Sequence, residues 1–186
     1  PPPGYDGIVA DVPCTGSATS RKNRNVWWKW SPKESRTLFR LQVEITTRGA
    51  SLLRPGGHLV YSTCSIDPCE NEAVVAQLLR QLPYLELVDI DESKLNGLKL
   101  REGLSDWDVL DKESNPLSRG EELPRTTFLQ PVHMSPAARR HWMDSVDEAI
   151  DEKLEMDIEA QLPKCRRLIH HDNDTGGFFV AMFRHR

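Results

Sequence analysis

Long apolar runs are missing from this chain of 186 residues, and cysteine is scarce. No run approaches the roughly 18 apolar residues of a membrane span, and no charged-then-apolar leader opens the chain, so we expect neither an anchor nor a signal peptide. The four cysteines, at positions 14, 64, 69 and 165, are too sparse and irregular for the disulfide framework of a small secreted protein. This cysteine content favours a reducing compartment inside the cell.

Two ligand-binding motifs are also absent. No CxxC pair occurs, which disfavours a zinc site built from Cys64, Cys69, His170 and His171. No glycine-rich turn of the G-x-G type follows a predicted strand, so the usual signature of a nucleotide-binding loop is missing. With 38% hydrophobic and 28% charged residues, the chain is nevertheless long enough for one medium-sized domain with its own core.

The net charge of −4 is distributed unevenly along the chain. Residues 21–54 are strongly basic, and three tryptophans at positions 27, 28 and 30 lie within them, whereas residues 144–159 are strongly acidic. Charge runs often form no more than a solvated face. Because cations bind phosphates and aromatic rings stack on unpaired bases, the basic and aromatic segment favours an RNA partner.

An apolar run ends abruptly at Cys64 and predicts a buried strand that brings a thiol to the edge of a sheet. Residues 55–57, Pro-Gly-Gly, are interpreted as the turn before it. A second buried strand is predicted at residues 8–12, with Asp11 and Cys14 near its end. Strand, helix, strand and helix follow one another, which predicts parallel strands whose ends place Asp11, Cys14 and Cys64 at one edge.

Two helices are predicted to start at Ser-Pro and Asp-Pro pairs, each followed by a glutamate in a capping-box position. The first begins at Pro32 and ends before Pro55, and the second covers about residues 68–81. Each is expected to place an apolar stripe against the sheet. The first stripe comprises Leu38, Leu41, Ile45, Gly49 and Leu52, and the second comprises Val74, Val75, Leu78, Leu79 and Leu82.

The remainder of the chain is less regular. Residues 85–90 alternate and predict a strand, while residues 91–160 are interpreted as a loop-rich insertion with an acidic segment that is either helical or disordered. A helix is expected at residues 137–145. Residues 167–171 and 177–183 predict a C-terminal hairpin around a turn-rich loop.

Two motifs give the chain a specific resemblance. Asp11-Val12-Pro13-Cys14-Thr15-Gly16 and Tyr61-Ser62-Thr63-Cys64-Ser65 resemble the paired cysteine motifs of the Nop/Sun family of RNA cytosine-5 methyltransferases. Residues 21–23, 27–30, 48–50, 70–74 and 170–179 most resemble its eukaryotic tRNA-methylating branch. The similarity runs through nearly the whole chain and is weakest over residues 111–157.

The resemblance implies an α/β, Rossmann-like fold of the S-adenosylmethionine-dependent methyltransferases. Residues 1–186 would form the second half of a mostly parallel sheet, with helices on both faces and a C-terminal antiparallel hairpin. The glycine-rich loop and the ribose-binding acid of the family's cofactor-binding first half are absent from this sequence. We therefore expect a partial catalytic domain, inactive alone, whose partner is the N-terminal half of the same domain.

The resemblance also implies roles for the two cysteines and their neighbours. Cys64 would be the nucleophile that adds to C6 of cytosine, and Cys14 would assist release of the product. Asp11 would contact the cytosine edge and lie beside S-adenosylmethionine, and Pro13 would shape the pocket. DNA-modifying relatives attack through a Pro-Cys motif, so Cys14 remains the rival nucleophile.

The RNA, by the same resemblance a tRNA, would be held by residues outside the cysteine motifs. Arg21, Lys22 and Asn23 would bind phosphates, Trp30 would stack on a base, and His171 would reach the same cleft. Trp30 as a staple of the helix start and His171 as a surface residue are the structural alternatives. A location in the nucleus or nucleolus is implied as well.

Two other functions remain open from the sequence. A non-catalytic RNA-binding module would keep the basic and aromatic residues but would not need either cysteine. A cysteine hydrolase would need a base and an oxyanion hole near Cys64, and no Cys-Gly or His-centred signature supports it.

Overall fold

The computed structural model describes residues 4–95, 97–108, 110, 115 and 152–186. Within them the strands are β1 (Tyr5–Asp11), β2 (Leu53–Thr63), β3 (Leu85–Leu87), β4 (Arg101–Glu102), β5 (Arg166–Leu168) and β6 (Phe178–His185). The helices are α1 (Val26–Lys29), α2 (Pro32–Ala50), α3 (Glu72–Gln81), α4 (Glu152–Gln161) and α5 (His170–Asn173). Short 3-10 turns occur at Ser17–Thr19, Pro68–Glu70, Glu92–Lys94 and Leu162–Lys164.

The sheet is mixed in the described part of the chain. Its strands follow the order β1-β2-β6-β5-β4, and β3 pairs with the C-terminal end of β6. β1 and β2 are parallel, with Asp11 beside Ser62, whereas β6 is antiparallel to β2, β3 and β5. The α/β class and the C-terminal hairpin are confirmed. The sheet is not mostly parallel here, because that hairpin places β6 directly beside the parallel pair.

Alternating side chains on the two central strands form the core. Leu59 and Tyr61 of β2 share one face with Phe179 and Phe183 of β6, and none of the four is exposed. The Tyr61 and Phe179 rings meet edge to face with their centroids 6.2 Å apart. The predicted inner stripe of α3 is confirmed, since its members lie in the core or against it (Val74, Val75, Leu78, Leu79 and Leu82).

Helix α2 begins as predicted but buries a different face. Ser31 caps it by accepting a hydrogen bond from the Glu34 N–H, and Pro32 occupies its first turn. The predicted stripe is wrong for Leu41, Ile45 and Leu52, which are 37–42% exposed, whereas Leu38 is half-buried and Gly49 packs against the sheet. The buried residues of α2 are instead Pro32, Ser35, Phe39, Gln42, Val43, Thr46 and Ala50.

This difference has a physical reason. The buried face contains polar side chains as well as apolar ones. Gln42 Nε2 donates to Pro13 O and Thr46 Oγ1 donates to Gln42 O, whereas Gln42 Oε1 and Ser35 Oγ have no hydrogen-bond partner in the described part of the chain. An apolar pattern cannot find a face that includes these polar residues.

The Pro-Gly-Gly segment at residues 55–57 lies inside β2 rather than before it. The pairing of β1 with β2 shifts here, from Tyr5 beside Leu53 to Gly7 beside His58, which is the irregularity of a β-bulge. Gly56 has a φ of 77°, a conformation that glycine adopts without strain. The interpretation of these residues as the turn that leads into the strand is therefore wrong.

Two of the later strands, β3 and β5, are shorter than predicted. β3 contains three residues of the predicted strand at 85–90, and the acidic α4 packs on α3 through the Arg80–Glu155 ion pair. β5 and β6 pair as the predicted hairpin, but α5 replaces the end of its first strand. The expected helix at residues 137–145 lies outside the described residues.

The longer described helices form one layer. α2 packs on β1 and β2 through Gly49, which approaches Leu59 and Ile8, while α3 contacts α2 and α4. On the opposite face Val9 is 73% exposed, and its neighbours across the sheet, Val60 and Met182, are half-buried. The expected second helical layer is not among the described residues.

Candidate active site

Two free cysteines face each other at the carboxyl ends of β1 and β2. Cys64 directly follows β2, and Cys14 lies a short way beyond β1. Their Sγ atoms are 3.3 Å apart, which suits a thiol hydrogen bond and is too long for a disulfide bond. Both side chains are half-buried. The prediction that the parallel strands bring the two cysteines to one edge of the sheet is confirmed.

The environment of Cys14 favours its protonated form. Burial raises the pKa of the Cys14 thiol to about 12, and the hydrogen bond and electrostatic interaction with Cys64 contribute to the rise. Cys14 therefore keeps its proton near neutral pH and can donate it in a hydrogen bond to the Cys64 sulfur. Cys69 and Cys165 are buried, and burial raises the pKa of each.

Asp11 and Pro13 lie beside Cys14, where the sequence predicted them. The Asp11 carboxylate is exposed at the end of β1 and accepts a hydrogen bond from Ser62 Oγ at 3.0 Å. The Pro13 carbonyl accepts a hydrogen bond from Gln42 Nε2 at 2.9 Å. Asp11 is thus free to contact a ligand, while α2 holds the backbone that leads into Cys14.

A buried carboxylate connects the two cysteine loops. Glu70 is fully buried and accepts hydrogen bonds from Thr15 N at 2.9 Å, Thr15 Oγ1 at 2.5 Å, Gln42 Nε2 at 3.0 Å and Ser65 Oγ at 2.6 Å. The predicted capping role of Glu70 is wrong, because the Asp67 N–H donates to Ser65 Oγ. The Glu70 side chain points toward the cysteine loops instead.

The next two residues extend this buried polar cluster. Asn71 accepts from Thr63 Oγ1 at 2.6 Å and donates to Ser65 O at 2.9 Å. Glu72 forms a buried ion pair with Arg167 of β5, and Arg167 Nη1 also donates to Ile66 O at 3.0 Å. The loop after Cys64 is therefore held on several sides by groups without solvent access.

Sequence patterns do not indicate the polar partners in this cluster as site residues (Thr15, Gln42, Ser65, Glu70, Asn71 and Glu72). One available signal was the sequence Glu70-Asn71-Glu72, which places two acids and an amide in a segment that also carries buried apolar residues. Such polar groups must find partners when they are buried. Some of their partners, such as Thr15 for Glu70 and Arg167 for Glu72, come from distant parts of the chain, and no sequence pattern indicates them.

Two cavities border a neighbouring segment, here called the basic-aromatic loop (residues 21–30); Cys14 lines one of them, and Cys64 lines neither. The larger has a volume of about 690 Å³ and is lined by Cys14 and Thr15, by Trp30 and by the basic side chains of Lys29 and Lys33. The smaller, of about 380 Å³, lies between tryptophans 27 and 30 and residues 66–69. Trp30 lines both cavities, and its indole N–H is buried without a hydrogen-bond partner in the described part of the chain.

Only some of the predicted RNA-binding residues line these cavities. Asn23 lines the larger cavity together with Trp30. Lys22 is exposed, and Arg21 forms an ion pair with Asp174 at 2.5 Å. His171 is exposed, contacts Arg101 at 3.1 Å, and lines neither cavity. The structure therefore brings Asn23 and Trp30 toward Cys14 and leaves His171 apart from it.

Among the residues that the structure describes, no three His, Cys, Asp or Glu side chains are grouped so that they could hold a metal ion. No helix in these ranges combines the length and hydrophobicity needed to cross a bilayer.

A family model described as 16S rRNA methyltransferase RsmB/F matches residues 3–120. A tRNA (cytosine(34)-C(5))-methyltransferase from Drosophila melanogaster is 39% identical over 98% of this chain and 23% of its own length. A multisite-specific tRNA:(cytosine-C(5))-methyltransferase from Saccharomyces cerevisiae is 38% identical over 96% of this chain. The chain spans 23% of the length of each of these relatives.

Solved structures share the fold at lower identity. A methyltransferase homologue from Pyrococcus horikoshii superimposes with a TM-score of 0.54 and 24% identity, over 99% of this chain and 40% of that chain. NSun6 from the same organism, solved with SFG, gives a TM-score of 0.53 and 20% identity, over 96% of this chain and 29% of that chain.

Proposed function

Because the chain belongs to the RsmB/F family of methyltransferases, we propose that it supplies the two catalytic cysteines of an RNA cytosine-C5 methyltransferase that acts on tRNA. The observation that supports this proposal most directly is the 3.3 Å separation of two free thiols at the ends of parallel strands. The names of the Drosophila and yeast relatives support the choice of tRNA cytosine as substrate.

Cytosine requires covalent activation, because its C5 is a weak nucleophile. In the proposed reaction the Cys64 thiolate adds to C6, the electrons of the C5–C6 bond shift, and C5 then attacks a methyl group. Loss of the C5 proton and elimination of Cys64 release 5-methylcytosine and restore the thiolate. S-adenosylmethionine would supply the electrophilic methyl group, and its S–CH₃ bond would break to leave S-adenosylhomocysteine.

We assign the attack to Cys64 and the release step to Cys14. The high pKa of Cys14 supports this division, because a thiol that keeps its proton is a poor nucleophile and a suitable hydrogen-bond donor. Hydrogen bonding from Cys14 would stabilise the Cys64 sulfur when it leaves C6. Asp11, exposed at the same edge, is proposed to contact the amino group and N3 of the cytosine.

The described residues do not form a complete site for S-adenosylmethionine. Asp11 is the carboxylate that this chain offers at the end of β1, and β1 pairs only with β2 in the described ranges. A cofactor lying across the strand ends would need a further strand beside β1. We propose that the N-terminal half of the catalytic domain supplies it, and that this half also covers the exposed Val9, Leu41 and Ile45.

We propose that RNA binds over the larger cavity. Lys29 and Lys33 line it and can contact phosphates, and the Trp30 side chain that also lines it offers a surface for stacking on a base. Lys22 and Asn23 would extend this contact along the backbone of the RNA. Arg21 and His171 are already engaged with Asp174 and Arg101, so we expect smaller contributions from them.

The location in the nucleus or nucleolus stays a prediction from the resemblance, and microscopy of the tagged protein can check it.

The experiment that tests the function uses a complete enzyme containing this chain, incubated with S-adenosylmethionine and a tRNA substrate. Cys64→Ala should yield neither methylated product nor protein-linked RNA, because no C6 adduct can form. Cys14→Ala should accumulate a denaturation-resistant protein–RNA complex, because attack proceeds and elimination stalls.

The opposite pattern would make Cys14 the nucleophile. RNA binding that persists in a wild-type enzyme without methylation or trapping would favour the non-catalytic RNA-binding module. Circular dichroism of both variants is the control for folding.

A further inference from the structure

We propose that Glu70 is a positioning residue that sets the separation of the Cys14 and Cys64 sulfurs. This inference rests on the proposed function for its catalytic meaning. The residue that follows each cysteine donates to the same oxygen atom: Thr15 Oγ1 lies 2.5 Å and Ser65 Oγ lies 2.6 Å from Glu70 Oε2. Two short hydrogen bonds to one atom therefore fix the distance between the loops.

The other carboxylate oxygen restrains Cys14 from its second side. Oε1 of Glu70 accepts from Thr15 N and from Gln42 Nε2, and the same Gln42 nitrogen donates to the carbonyl of Pro13. The residues before and after Cys14 are thus both connected to Glu70, directly or through Gln42. Glu70 itself is fixed, because the Tyr61 hydroxyl donates to its backbone carbonyl.

A glutamate is the residue type that suits this positioning role. Four N–H and O–H donors converge on the side chain, and a carboxylate offers acceptor positions to all of them without presenting a donor of its own. A glutamine of the same shape would place its NH₂ group, which is itself a donor, opposite two of these donors. An aspartate would be too short to reach the Thr15 and Ser65 hydroxyls and the Gln42 amide together.

A purely local role does not account for these contacts. The start of the helical segment is capped by Asp67, which accepts a hydrogen bond from the Cys69 N–H at 2.9 Å. The side-chain hydrogen bonds of Glu70 given by the structure go instead to the two cysteine loops and to α2. Glu155 is the matched control, because it is a buried acid that binds Arg80 between α3 and α4, in contacts that do not include either cysteine loop.

The first measurement needs neither RNA nor cofactor. Phenylarsine oxide bridges two thiols that lie near van der Waals contact, and its binding to the chain reports how well Cys14 and Cys64 are held together. We expect Glu70→Gln to weaken this binding about tenfold, because the loops must be ordered again when the arsenic binds. Glu155→Gln should bind as the wild type does, and Cys14→Ala should lose the site.

The second measurement uses a complete enzyme containing this chain. Glu70→Gln should lower kcat about 100-fold with little change in KM for tRNA, since a displacement near 1 Å costs rates of this order. Glu70→Asp should recover only a small part of kcat, because its shorter carboxylate can accept from some of these donors but not from all of them together. Equal changes in kcat and KM would contradict a positioning role.

Failure of the proposed function and failure of this inference are separable. If the wild-type enzyme forms no RNA adduct, the proposed function is wrong. Arsenical binding still tests whether Glu70 positions the two thiols. Wild-type arsenical affinity in a folded Glu70→Gln variant would overturn the inference. If that variant does not fold, the Ser65→Ala and Thr15→Val variants test the same hydrogen bonds from the donor side. Weaker arsenical binding in both variants supports the role of Glu70, and unchanged binding overturns it.

Discussion

The loops that carry Cys14 and Cys64 are held by buried hydrogen bonds, whereas the basic-aromatic loop beside them turns its side chains to solvent. Glu70 and Asn71 are fully buried, while Trp27 and Trp28 are 72% and 86% exposed. Catalytic groups require fixed geometry before the substrate arrives, and groups that grip a charged polymer can complete their contacts on binding. Changes in the first region should therefore alter folding and rate, and changes in the second should alter affinity.

The largest effect is expected at the ion pair beneath the Cys64 loop. Arg167→Ala leaves the Glu72 carboxylate buried without its cation and removes the hydrogen bond to Ile66 O. We expect a loss of about 3–5 kcal/mol in the free energy of unfolding, because a buried charge loses its partner. Denaturant titration measures this loss.

The control is Arg40→Ala, which breaks the exposed pair with Glu44 on α2. It should change the free energy of unfolding by less than about 0.5 kcal/mol. Similar losses in the two variants would contradict the distinction between a buried cysteine region and a solvated basic surface.

A smaller effect is expected at Gln42, which extends the buried cluster into α2. Gln42→Leu removes donors to Pro13 O and Glu70, so we expect a loss of about 1–3 kcal/mol from unsatisfied buried groups. Leu41→Gln changes the exposed neighbour on the same helix and should be nearly neutral, since Leu41 is 42% exposed. Urea unfolding of both variants tests which face of α2 supports the site; a neutral Gln42→Leu would contradict the structure.

Sequence patterns could predict the parts of this molecule that depend on local signals. The family resemblance, the strand that precedes Cys64, the capping by Ser31 and the inner stripe of α3 were all available from short segments. The meeting of the cysteines followed from a general rule about parallel strands. These predictions succeeded because each depends on periodicity, capping or chain order.

The remainder required contacts between distant residues. Three residues of the apolar stripe predicted for the first helix are exposed, because the buried face of α2 includes the polar Gln42 and Thr46, whose side chains donate hydrogen bonds. Glu70 was taken for a helix-capping residue because its partner Thr15 lies 55 positions away in the sequence. The Pro-Gly-Gly segment was interpreted as a turn because a β-bulge is defined by pairing with another strand.

Within the cysteine region, the reactivity of Cys14 should depend on Cys64. The pKa of Cys14 is raised to about 12, so its alkylation should stay slow from pH 7 to 9, where the thiol keeps its proton. Cys64→Ala removes two of the contributions that raise this pKa, and alkylation should accelerate about tenfold for each unit by which the pKa falls. Mass spectrometry of iodoacetamide-treated chain locates the label.

Cys64→Ser is the control for this measurement, because its hydroxyl can still hydrogen-bond to Cys14. It should give an intermediate rate. Cys69 and Cys165 are buried and should remain unlabelled in all folded variants. A Cys14 rate that does not respond to either substitution would show that the two thiols do not interact.

The smallest effects are expected in the basic-aromatic loop, where we expect each cation to contribute to the affinity for tRNA and not to the rate. Lys22→Ala should weaken tRNA binding a few-fold and reduce the slope of log K against log salt by about 0.7–0.9, because one phosphate contact is lost. Arg21→Ala should reduce the slope less, since Asp174 already neutralises Arg21. Binding titrations of a complete enzyme at several salt concentrations measure both slopes, and unfolding free energies near the wild-type value are the control. If Lys22→Ala instead lowered kcat at saturating tRNA and left the salt slope unchanged, this loop would belong with the cysteine region in function, and the contrast between the two would not hold.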